Sequence, residues 1–132
     1  MPRIAHLILS IFAVALASVS VGSQAAEKPV TAQEIALGAK QYGPAQQSQG
    51  GSYSLDPELQ AYVERVGTKL TRVSAFPDLP FAFVVINNSE LNAWALPGGK
   101  IAVNRGLLAE LENEAQLAAV LAHEISHVTK RH

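Results

Sequence analysis

The chain has 132 residues, enough for one domain, with 48% hydrophobic residues and a formal net charge of -1. It carries no basic or acidic block, so its charge pattern does not point to nucleic acid. It has no cysteine, which excludes a disulfide framework, thiol catalysis and a cysteine-held metal. Any metal must be held by histidines and carboxylates.

The N-terminus reads as a secretory signal peptide over residues 1–25. Arg3 supplies a positive start, Leu7 to Val21 is an apolar and small-residue run, and Ser23-Gln24-Ala25 fits a small-x-small cleavage site. The run is shorter than the ~20 residues of a membrane-spanning helix, which favours cleavage over anchoring. The expected mature chain starts near Ala26 and is periplasmic.

Residues 30–42 predict a helix. Thr31 is the expected N-cap, Glu34 its capping-box partner, and Val30 and Ile35 stand where a hydrophobic staple would be. Gly43-Pro44 predicts its end, and Ala45 to Ser54, rich in Gln, Ser and Gly, reads as a linking loop. Asp56-Pro57 opens a second helix, with Leu59, Tyr62, Val63, Val66 and Leu70 at helical spacing toward the core.

The period then changes. Phe81 to Ile86 predicts a buried strand, Asn87 to Glu90 a turn, and Asn92 to Leu96 a short strand. Pro97-Gly98-Gly99 predicts a tight turn into a strand over Lys100 to Asn104, the last two strands forming a hairpin in a small antiparallel or mixed sheet. Gly99-Lys100 is not a phosphate loop, because Ile101 stands where Ser or Thr is needed. A short helix over Gly106 to Leu111 follows. Asn113 then caps a final helix, with Gln116 at the capping-box position.

That last helix carries His123-Glu124-Ile125-Ser126-His127. Residues four apart lie on one helix face, about 40° from each other, so His123 and His127 can point at one metal ion. Glu124 lies about a quarter-turn away, clear of the metal but placed to take a proton from a water activated there. Neutral imidazole suits zinc. Leu117, Ala118, Leu121, Ile125 and Val128 form an apolar arc opposite the histidines. Ala115, Ala119, Ala122, Ser126 and Thr129 form a small-residue side, so the helix is expected to be packed on nearly every side.

Three segments together resemble a known family. They are Leu91-Asn92-Ala93-Trp94-Ala95-Leu96-Pro97-Gly98-Gly99-Lys100-Ile101-Ala102-Val103, then Gly106-Leu107-Leu108, then His123 to Val128 with Arg131-His132. The pattern is similar to the HtpX-type zinc metalloendopeptidases, family forty-eight of the metallopeptidases, and most to their signal-peptide-bearing periplasmic members. The resemblance implies an α+β, zincin-like fold with helices on a small sheet, residues 26–132 being the N-terminal portion of the metallopeptidase domain. It implies one catalytic Zn2+ with His123 and His127 as ligands and Glu124 as general base. Substrates would be unfolded or misassembled envelope proteins, paired with an edge strand near Ala93–Leu96 or Lys100–Asn104; membrane association is possible but not required.

The family's third zinc ligand is a Glu on a later helix, and only five residues follow His127. His132 lies about 180° from His123 on a continued helix and is expected to be structural. Asp78 and Glu90 sit on predicted turns without a ligand motif. Two readings stay open: a zinc endopeptidase cut after its first two ligands, or a catalytically incomplete, non-enzymatic zinc-binding or interaction module.

Overall fold

The computed structural model describes residues 27–131; the expected signal peptide and His132 lie outside them. Their elements run α1 (Ala32–Gln49), α2 (Pro57–Thr71), β1 (Ala82–Ile86), β2 (Ala93–Leu96), β3 (Lys100–Asn104), α3 (Arg105–Glu110) and α4 (Glu114–Lys130). This is the expected α+β arrangement of helices on a small sheet. Among the described residues, no helix is long and apolar enough to cross a membrane.

The sheet is mixed, in the order β1-β3-β2. β3 runs parallel to β1, with Val84 beside Ala102, and antiparallel to β2, with Trp94 opposite Ala102. Side chains alternate across a strand. Phe83, Val85, Ile101, Val103, Ala93 and Ala95 therefore share the face that packs on Val63 and Val66 of α2 and on Leu117, Leu121, Ile125 and Val128 of α4. The opposite face carries Trp94, Ala102 and Asn104 and lies toward α1. Here the Tyr42 ring stands edge-on to Trp94 at 6.1 Å, and its hydroxyl donates to the Ile101 carbonyl at 2.8 Å.

Both outer helix starts follow their caps. The Thr31 side chain accepts from Glu34 N–H at 3.2 Å while Glu34 accepts from Thr31 N–H at 2.7 Å. Asp56 accepts from Leu59 N–H at 3.0 Å, with Pro57 at the start of α2. α4 departs slightly from expectation. Asn113 accepts from Gln116 N–H at 3.0 Å, but the Gln116 side chain accepts from Glu112 N–H, one residue before the cap.

The predicted end of α1 is wrong. The helix runs through Gly43-Pro44 to Gln49, absorbing half of the predicted loop. A proline clashes with the Cβ of the residue before it when that residue is helical; Gly43 has no Cβ. The carbonyl of Lys40, which Pro44 cannot serve, belongs to an exposed residue and can turn to water. The true stop is Gly50, at φ 121°. Gly51 N–H bonds Gln46 O at 2.7 Å and Gly50 N–H bonds Gln47 O at 3.4 Å, the pattern of a Schellman ending.

α1 meets the sheet backbone to backbone. Gly38 is its buried residue, and a Cβ there would overlap the carbonyl oxygen of Pro97. On the other side of this contact Gly98, at φ 82°, would place a Cβ 2.6 Å from Ile35 Cα. At its N-terminus α1 is tied to the end of α4, where Arg131 Nε donates to Glu34 Oε1 at 2.6 Å.

Two stability outcomes follow. Gly38→Ala should destabilise the fold by about 1–3 kcal/mol in urea unfolding, because overpacking against backbone outweighs the ~1 kcal/mol helix-propensity gain. Hydrogen bonds from Arg131, and then from Thr31, lower Glu34 from its ordinary 4.5 to about 2. A carboxylate with a lowered folded-state pKa stabilises the protein above its unfolded value, and that contribution disappears as pH falls toward the folded value. The melting temperature should therefore fall between pH 4.5 and 2 more steeply in the parent than in Glu34→Gln.

Candidate metal centre and groove

α4 is oriented by its apolar arc. Leu117, Leu121, Ile125 and Val128 are each 6% exposed or less, so the opposite side of the helix must face outward. His123 lies there exposed, and His127 half-buried one turn later. Their Nε2 atoms stand 2.9 Å apart, with the rings nearly perpendicular at 88°. Glu124 is only 7% exposed, and one ligand atom from each of the three residues falls within a 4.8 Å cluster.

The donor set fits a metal. Two nitrogens on one tetrahedral zinc, at ~2.0–2.1 Å each, lie about 3.3 Å apart, so small side-chain adjustments open the observed pair to that spacing. Burial pushes the Glu124 carboxyl above its ordinary pKa, against the opposing pull of His127 and then His123. Desolvation disfavours the charged form and makes the carboxylate a stronger base. The arrangement can hold a cation on two imidazoles and place a proton acceptor beside it.

The expectation of a helix packed on nearly every side is corrected. Ala115, Ala119 and Ala122 are exposed, and only Ser126 and Thr129 of the small-residue side are covered. α2 and the sheet meet α4 on its apolar arc, and a helix covered from one direction leaves its flank open. The open flank forms one wall of a groove of about 730 Å³. Ala119, Val120, His123, Glu124 and His127 line this wall, with Leu107 from α3; Leu91 and Asn92 lead into β2 on the other side. The lining role of Ala119 and Val120 was missed in the sequence, although they lie four and three residues before His123 and hence on its face.

The facing wall is the free edge of β2. Asn104 N–H donates to Asn92 O at 3.0 Å, which fixes the phase of the antiparallel ladder. By alternation, Ala93 and Ala95 direct their N–H and C=O groups away from β3, into the groove. Lys100–Asn104, the alternative edge expected from the sequence, is corrected: β3 is the central strand and its backbone is occupied on both sides. The outer edge of β1 is covered by a side chain. Gln60 Nε2 donates to Phe83 O at 2.8 Å, Gln60 Oε1 accepts from Val85 N–H at 2.9 Å, and Tyr53 N–H donates to Val85 O at 2.7 Å.

Comparison with known proteins places this geometry. Residues 57–132 match the model of peptidase family M48. The chain is 46% identical over 77 residues to a β-barrel assembly-enhancing protease of Escherichia coli K12, covering 58% of this chain and 16% of that protein. It is 45% identical over 71 residues to the mitochondrial metalloendopeptidase OMA1 of Schizosaccharomyces pombe, covering 54% of this chain and 21% of that protein. Against a protease HtpX homolog of Acidiphilium cryptum the identity is 39% over 84 residues, covering 60% and 29%. The matched span thus takes in a small part of each relative's length. It contains α2, the whole sheet and the candidate metal centre, and on a family match of more than half its length the chain belongs to peptidase family M48.

Proposed function

We propose that this chain carries the first part of a zinc-dependent endopeptidase site, with His123 and His127 as metal ligands and Glu124 as general base. The observation that carries the reading is the convergence of the three side chains within 4.8 Å on a groove whose other wall is an open strand edge. Bound zinc would supply a Lewis acid beside the scissile carbonyl and make water more acidic. A substrate in extended form would add to β2, its backbone paired with Ala93 and Ala95. Glu124 would take a proton from the attacking water and pass it to the leaving amine. Its burial supports that task, since a base with a raised pKa accepts the proton more readily.

A catalytic zinc takes three protein ligands and a water. The two histidines supply two, and by resemblance to the HtpX-type enzymes the third is a Glu on a later helix of the full-length protein. In this reading residues 26–132 are the N-terminal portion of the peptidase domain, and residues 1–25 are a cleaved signal peptide that delivers it to the periplasm. Similarity to proteins named for β-barrel assembly supports envelope proteins as the substrate class; unfolded or misassembled forms are the targets that the resemblance to the HtpX-type enzymes suggests.

The test is made in the full-length protein. Glu124→Gln should keep its zinc by elemental analysis and lose at least ~10²-fold in cleavage of an unfolded protein substrate, the lower range for a general base. His123→Ala should lose both zinc and cleavage. Undiminished proteolysis by Glu124→Gln would overturn the assignment. A second outcome concerns the metal-free protein. A carboxyl whose folded-state pKa is raised destabilises the fold as pH rises through its unfolded value, and continues to do so at neutrality. With chelator at pH 7, Glu124→Gln should therefore melt above the parent, and the gain should vanish when both are compared near pH 4.

A further inference from the structure

The end of α4 is held by residues far from it in sequence. Arg131 closes the helix in the left-handed region, at φ 56° and ψ 45°, the single non-glycine residue with positive φ among those described. Its N–H donates to the carbonyl of His127, so this closing helical hydrogen bond ends on one of the two candidate ligands. Its guanidinium reaches across to the start of the described chain. Nη1 donates to Lys28 O at 2.7 Å, Nη2 donates to Pro29 O, and Nε and Nη2 meet the two oxygens of Glu34 at 2.6 and 3.4 Å. Glu34 is aimed by its own capping box with Thr31.

Next to Glu34, Ile35 rests on Gly98, and one turn further along α1 Gly38 rests on Pro97, both at the tip of the β2–β3 hairpin. The first two turns of α1 thus join the two walls of the groove: the histidine end of α4 on one side and the hairpin of β2 on the other. This brace lies outside the matched span 57–132, apart from Arg131 and the hairpin tip.

We infer that Arg131 is a positioning residue for the metal centre, acting through the carbonyl of His127 and the brace formed by Lys28 to Gly38. The inference rests on reading His123 and His127 as metal ligands. Helix ends fray from the last turn inward. His127 sits in that last turn, where Val128 is the final core residue of the helix, whereas His123 is one turn deeper, between the packed Leu121 and Ile125. An unlatched Arg131 would release the hydrogen bond to His127 first, and the Nε2 atoms would lose their fixed 2.9 Å separation. The left-handed backbone sharpens the dependence: a residue with a Cβ holds that conformation reluctantly, and the four guanidinium contacts fix it here.

The experiment is a cobalt(II) titration of the full-length protein, followed by d–d absorption, for the parent, Arg131→Ala, Glu34→Gln and the double variant. Glu34→Gln is the gentler probe, since Gln also serves in a capping box while the ion pair is lost. Asp56→Ala, which removes the cap of α2, controls for a general loss of stability. Each latch variant should weaken cobalt binding about 10-fold, the lower end of the range for residues that orient a ligand. The double variant should be no weaker than the worse single, and Asp56→Ala should bind as the parent does. Latch variants that melt lower yet bind cobalt as tightly as the parent would overturn the inference and leave the metal reading standing. If the parent itself binds no cobalt, or His123→Ala binds as the parent does, the metal reading falls and the inference with it.

Discussion

The site depends on the rotation of one helix. Leu117, Leu121, Ile125 and Val128 of α4 are packed against α2 and the sheet, and burial of each contributes about 1.5–3 kcal/mol. Turning α4 by a quarter-turn would expose much of that surface and bury imidazoles in an apolar core, where they would lose water without gaining partners. The cost is large beside the 5–15 kcal/mol that holds a typical domain together. The core therefore sets the direction in which His123 and His127 point, and a short apolar repeat becomes a rigid mount for polar chemistry. Glu124 occupies the border between the two surfaces, close enough to the core for its pKa to rise and close enough to the groove to meet the histidines.

The same economy governs the sheet. Three strands give two outer edges, and an unpaired edge invites pairing with any extended chain. β1 is closed by the amide of Gln60, which offers one acceptor and one donor at the spacing of a strand backbone, and by Tyr53 N–H. β2 is closed by no strand among the described residues, and it is the edge that faces the candidate metal centre. Capping one edge and leaving the other bare means that, among the described residues, the sheet offers an extended strand the edge beside the candidate metal centre. The covering of β1 comes from a residue on the first turns of α2, so the helix that packs the core also decides which edge remains available.

Local signals in the sequence were read well where one interaction decided the outcome. Thr31 with Glu34, Asp56 with Pro57, and Asn113 each fixed a helix start, because a cap satisfies a donor within three residues of itself. The clustering of His123, Glu124 and His127 was legible for the same reason: a helix repeats every 3.6 residues, and their approach is made within about one turn. The misreadings came where the decisive partner was distant or where two local signals opposed each other. At Gly43-Pro44 the proline signalled a stop, but the glycine removed the clash that makes such a stop necessary. Gln60 was unreadable as an edge cap, because its partners Phe83 and Val85 are set by tertiary packing. The choice between β2 and β3 as the open edge likewise required the parallel pairing of β3 with β1, which no hairpin signal contains.

The Pro97-Gly98-Gly99 segment shows how a specific sequence pattern and its physical purpose can diverge. Together with Asn92 to Leu96 it carries much of the resemblance to the family, and its place beside the groove invites a role in catalysis. Its glycines face the other way. Gly98 is buried, at a φ that a side chain would strain, against the backbone of Ile35, and Gly38 answers it on Pro97. Two smooth backbone surfaces meet there, which allows α1 to lie close enough to the hairpin for its own N-terminus to reach Arg131. A bulkier hairpin tip would lift α1 and shift Glu34 away from the end of α4 before touching any residue that lines the groove. The requirement for glycine in this turn is thus a requirement of packing, and it bears on the histidines only through the helix that the turn supports.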